Sequence, residues 1–165
     1  TEHFRGDSVA PSPFASYHSR LGKYIIALID MDLRFAVAHY ELGQAFVQQR
    51  RYDDAISELL KAVEFSVRNS TCTSNLAYAY AVSGRRNEAI KILDDLKKRS
   101  NHGFPTAPEI ALVYVGLNEN DQAIASLERA YKERFNPTIL FRPAFDVLRS
   151  DPRFQDLERR IGLNR

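Results

Sequence analysis

Apolar and small residues recur at three- and four-residue steps through the middle of this chain, and polar, charged turns close each run. In HYELGQAF, SNLAYAY and EIALVY the apolar positions share one face of a helix, as they do in DDAISELLKA, NEAIKILDDL and DQAIASLERA. The spacing predicts helices in antiparallel pairs, and the pairs are copies of one unit. Ala55, Ala89 and Ala123 stand at equal intervals, each followed by isoleucine (Ile56, Ile90, Ile124). Twelve residues before each alanine is a small residue, Gly43, Ala77 or Ala111, with Leu42, Leu76 or Ile110 just before it. An aromatic follows three residues later (Phe46, Tyr80, Tyr114). Leu59, Leu93 and Leu127 come four after each alanine, and Ala62, Leu96 and Ala130 seven after. Small residues at fixed places let two helix backbones approach closely, while the aromatic and the leucine fill the space beside them. A fixed period of this length marks a stacked repeat, in which each unit buries its apolar face against its neighbours.

Outside the three units the pattern changes. Residues 1–11 have no periodicity and are expected to be a disordered lead or an expression remnant. A helix is predicted over 12–31, with Ser12 as N-cap, Pro13 in the first turn and a stripe of Phe14, Tyr17, Leu21, Tyr24, Ile25 and Leu28. Leu21 lies one period before Ala55, so residues 12–35 are expected to be a degenerate half repeat, part of a longer array. Residues 36–69, 70–103 and 104–137 are the full units, and 138–165 a C-terminal cap. In the third unit Thr106 and Glu109 are spaced as a capping box, with prolines at 105 and 108. The helix they open should be short, after an irregular loop over 100–105. RPAFDVLRSDPRFQDLERRIGL predicts two short helices, the second starting at Asp151–Pro152 and stopping at Gly162, with Phe154, Leu157 and Ile161 on one face.

The pattern of large aliphatic, small and aromatic residues, then alanine, bulky residue and alanine, resembles the tetratricopeptide repeats. The resemblance covers residues 36–137 well and the ends more weakly. It implies an all-α fold, a right-handed superhelix of antiparallel helix pairs. The proline that family members place between units is absent at Val67 and Asn101, while Pro137 stands near the third junction. The tail motif LRSDPRFQDL…RIGL is similar to the closing segment of repeat arrays in bacterial multidomain regulators. That likeness implies a C-terminal module of a larger signalling protein.

Composition adds little beyond a single domain with a substantial core: 165 residues, 44% hydrophobic, with one cysteine. Interspersed charges (23 basic, 21 acidic, net +2) leave no footprint for nucleic acid or acidic lipid. No apolar run nears the roughly 20 residues of a membrane span, and a cytoplasmic location is expected. No phosphate loop, HExxH, CxxC or GxSxG motif is present, so neither an enzyme nor a cofactor or metal site is expected. Cys72 and His39 read as packing residues. Asp53–Asp54 and Asp94–Asp95 read as helix-start or surface acids, and the C-terminal arginines (149, 153, 159, 160, 165) as a solvated face.

The candidate chemistry is therefore a binding surface. The resemblance places the first helix of each unit on a concave groove. It puts Tyr40, Gln44 and Gln48 of the first unit there, Thr71, Ser74, Asn75 and Tyr78 of the second, and Glu109 and Leu112 of the third. The expected partner is a protein or peptide segment, with a homodimer through the incomplete N-terminal repeat as the alternative. Family members that hold a chaperone's terminal carboxylate use Lys, Asn, Asn, Lys and Arg where this chain has Tyr40, Gln44, Asn75, Pro105 and Glu109. Only Asn75 agrees, and Glu109 would repel that carboxylate.

Overall fold

The period of the sequence becomes a stack of helix pairs. The computed structural model describes residues 35–67, 69–102 and 106–163; the expected lead, the 12–31 helix and Pro105 lie outside them. The pairs are α1 (Ala36–Gln48) with α2 (Tyr52–Phe65), α3 (Ser70–Val82) with α4 (Arg86–Asn101), and α5 (Ala107–Gly116) with α6 (Asn120–Lys132). Two 3₁₀ helices (Pro137–Phe141 and Pro143–Leu148) and α7 (Pro152–Ile161) close the chain. Each helix packs on the next, and α3 also packs on α5, so the first helices form one layer and the second helices another. The fold is an all-α solenoid, and no strand occurs among the described residues.

The alanines of the period lie where the helices cross. Ala55, Ala77, Ala89, Ala111 and Ala123 are all fully buried. At Gly43 the approach is tighter still: a Cβ there would come within 2.6 Å of Leu59 Cγ and 3.3 Å of the Ala55 carbonyl oxygen. The turn inside each pair also keeps the period. Arg50, Gly84 and Asn118, one repeat apart, all take the left-handed conformation, with φ of 58°, 84° and 60°. Each turn closes by two backbone bonds. The N–H groups of Arg51, Arg85 and Glu119 donate to the carbonyls of Phe46, Tyr80 and Tyr114 at 2.8–2.9 Å, and those of Arg50, Gly84 and Asn118 to Val47, Ala81 and Val115 at 2.9–3.1 Å. This double closure satisfies carbonyls that a helix end otherwise leaves open.

Local differences from the sequence reading have physical causes. α4 runs through Ser100 and Asn101, where a loop was expected, because Ser100 is buried and the helix stays packed to that point. Thr106 is the N-cap residue of α5, yet its hydroxyl donates to the Leu96 carbonyl at 3.1 Å, so the capping box does not form. The inter-pair bond satisfies a buried acceptor and outcompetes the local one. Pro137 and Pro143 sit in the first turns of the two 3₁₀ helices, and the first of the two expected helices takes the 3₁₀ form over Pro143–Leu148. The second forms as expected: the Asp151 carboxylate accepts from the Arg153 N–H at 2.8 Å, and Gly162 is left-handed at the end. Phe145 and Phe154 are fully buried and anchor this segment to the main core.

Two substitutions check this picture by thermal unfolding. Gly43→Ala gains about 1 kcal/mol of helix propensity and loses about 1–3 kcal/mol to overpacking against buried Leu59, so Tm should fall. Gly84→Ala meets no neighbour, yet forces a Cβ into the left-handed region at about 1 kcal/mol, and should lower Tm with no change in helix content.

Candidate functional site

One side chain organises the face shared by α1, α3 and α5. Arg142 joins the two 3₁₀ helices in an extended conformation (φ −68°, ψ 137°). Its guanidinium reaches back across the first-helix layer: Nη2 donates to the Tyr40 hydroxyl at 2.6 Å, and Nη1 to Asn75 Oδ1 at 3.4 Å. The arginine strap leaves an opening on either side. One is a cavity of about 410 Å³ lined by Thr71, Ser74, Pro108 and Glu109 of the helices and by Phe135, Ile139 and Arg142 of the closing segment. The other, about 260 Å³, lies between Val47, Gln48, Tyr52, Tyr78 and Val82 and the closing residues Pro143 and Ala144.

Charge on this face is sparse but concentrated. Burial raises the Glu41 carboxyl above its ordinary value, and the Arg142 charge draws it back. Glu109 is raised in the same way, opposed by its own backbone amide, by the Thr71 hydroxyl at 3.4 Å, and by Arg142 and Arg99. Glu109 Oε2 is buried without a hydrogen-bond partner. Burial also raises the Tyr40 phenol, which keeps it protonated at neutral pH. The result is a cation held between two carboxylates by neutral oxygen acceptors.

Two models of the tetratricopeptide repeat family match the sequence, over residues 23–70 and 109–137. Both stretches are tetratricopeptide repeats. Such repeats generally mediate protein–protein interaction. No curated protein matches the chain. The groove positions taken from the sequence separate into two groups. Tyr40, Gln44, Thr71, Tyr78 and Glu109 are half-buried and Gln48 is exposed. Ser74, Asn75 and Leu112 are buried. Ser74 Oγ donates to the Thr71 carbonyl at 3.0 Å, as Asn75 Nδ2 does at 2.7 Å. Leu112 is 1% exposed, in the core, with Pro143 and Ala144 across a small cavity from it. The Tyr78 ring lies against Gly116, where a Cβ would come within 2.9 Å of it.

Sequence reasoning missed Arg142, and with it the charge at the centre of the face. The period itself carried the signal, because Arg142 stands one full repeat after Pro108, at the unit position of Tyr40 and Ser74. His39 and three of the C-terminal arginines have structural partners. His39 is buried, and its Nδ1 is 2.6 Å from Glu58 Oε2. Burial would raise Glu58, but hydrogen bonds from Lys61 and His39 bring it below the ordinary carboxylate value. Cys72 is buried. Arg149 pairs with Asp146 and Glu158, Arg153 with Asp121 and Asp151, and Arg160 with Glu128 and Asp156. Among the described residues no cluster could hold a metal, and no helix is long and apolar enough to cross a membrane.

The raised Glu109 carboxyl gives a pH test. A folded-state pKa above the unfolded value of 4.5 means the folded chain holds this proton more tightly. The group therefore favours folding below about pH 4.5, and that contribution is lost as pH rises through the folded pKa. Glu109→Gln should raise Tm relative to the parent at about pH 7, with the difference closing near pH 4. A variant less stable at pH 7 would show that the carboxylate's bonds outweigh its burial.

Proposed function

We propose that the chain is a non-catalytic interaction module which binds a peptide or helical segment of a partner protein along the face of α1, α3 and α5. One observation carries this reading: side chains of successive first helices line two openings on that face, the larger about 410 Å³. That volume lies within the range of sites that bury a ligand's side chains. The surface mixes aromatic rings, amides and hydroxyls, with Tyr78, Gln48 and Thr71 placed around the openings and Gln44 at the small cavity that Leu112 also lines. Tyrosine supplies contact area at low entropic loss and keeps a hydroxyl for backbone groups. The likeness of the tail motif to bacterial regulator arrays supports a place in a larger signalling protein.

The test is selection of peptides from a random display library on the folded chain, followed by affinity measurement on groove variants. Tyr78→Ala and Gln48→Ala should weaken selected peptides, the first by tenfold or more, as expected for a buried aromatic contact worth about 2 kcal/mol. Tyr78→Phe keeps the ring that packs on Gly116 and separates binding from stability. Peptides that bind every variant equally would remove the groove as the partner surface.

A further inference from the structure

The chain's own arginine bridges two helices of this face. Tyr40 Oη and Asn75 Oδ1, from α1 and α3, accept from the two terminal nitrogens of one guanidinium. That is a two-point recognition which a planar fork satisfies and a single ammonium does not. Around it Glu41 and Glu109 carry the opposite charge, and both are drawn toward ionisation by Arg142. If the guanidinium swings out, two half-buried carboxylates and two oxygen acceptors lose the cation that balances them. All these receptor groups sit on helices. The arginine sits on an irregular segment, with Leu140 and Phe145 buried on either side of it. Its side chain can therefore leave while the backbone stays anchored. The cavity beside it is walled by Phe135 and Ile139, which suit an apolar neighbour.

We propose that α1, α3 and α5 form a guanidinium receptor occupied in cis by Arg142, and that the partner segment presents an arginine next to an apolar residue which takes its place. This rests on the reading of that face as the partner surface. The built-in occupant defines the chemistry of the incoming one. Arg142 also sets a threshold, since a partner must outcompete an arginine already tethered at the site.

A labelled peptide with the sequence of residues 139–146 (ILFRPAFD) is titrated by fluorescence anisotropy onto the full chain and onto Arg142→Ala and Arg142→Gln. The vacated receptor should bind it at least tenfold more tightly than the parent does. The same peptide with alanine in place of arginine should lose that gain, and with lysine most of it. Equal affinity of parent and variants, or of arginine and alanine peptides, overturns the proposal. Should both variants fail to fold, the parent chain still decides. Adding the arginine peptide should shift the Arg142 Nε–H resonance in NMR spectra while leaving that of Arg153, and an unmoved Arg142 resonance refutes it. Library peptides that need Tyr78 but contain no arginine would remove the receptor and leave the groove, whereas loss of Tyr78 dependence removes both.

Discussion

The structure depends on how closely two helix backbones can approach within and between units. Gly43, Ala55, Ala77, Ala89, Ala111 and Ala123 leave no more than a methyl group at the crossing points, and leucines close the space around them: Leu59, Leu93 and Leu127 are at most 3% exposed. Close approach converts a modest apolar content into dense contact, because dispersion falls off steeply with even a small gap. Turn geometry follows from the same constraint. Helices that lie this near must reverse within a few residues, and a left-handed residue at 50, 84 and 118 makes that reversal each time. Glycine holds only the middle one, so the packing, not the turn residue, dictates the conformation at Arg50.

Charge has a secondary part. Asp53 with Arg85, Glu119 with Arg86, Asp121 with Arg153 and Glu128 with Arg160 join each second helix or turn to the next unit. These pairs are largely exposed, so each adds little stability in water. Their value lies in register, since each partner lies 32 or 33 residues from the other. α7 joins this ladder through Arg153 and Arg160. It therefore occupies the place of another second helix although the first helix before it has been replaced by 3₁₀ turns. Phe145, Leu148 and Leu157, buried against the third pair, stand one period after Ala111, Tyr114 and Ala123. The closing segment is thus a distorted continuation of the repeat, and its distortion is what carries Arg142 over the groove.

The helix pairs were legible from local chemistry alone. Amphipathic spacing and small residues at fixed positions act over a few residues, so the period specifies helix, turn and packing face together. The short α5 between Thr106 and Gly116 followed from prolines at 105 and 108, and the last helix from Asp151, Pro152 and Gly162. The groove was legible only in part. Tyr40, Gln44, Gln48, Thr71, Tyr78 and Glu109 are at least partly accessible, but Leu112 is covered from the side of Pro143 and Ala144, in a segment beyond its own unit. Thr106 likewise chose a carbonyl ten residues back over the cap three residues ahead.

The sequence by itself thus determined the repeating unit, its helices and the residues that face one another, because each of those follows from spacing within a single repeat. Only the tertiary structure decided what occupies the face between units. Arg142 meets Tyr40 across 102 residues and Asn75 across 67. The period gives Arg142 the unit position of Tyr40 and Ser74, but not the partners it meets. That meeting arises from where the stacked helices end, how Pro137 and Pro143 bend the chain after them, and the demand of two half-buried carboxylates for a cation.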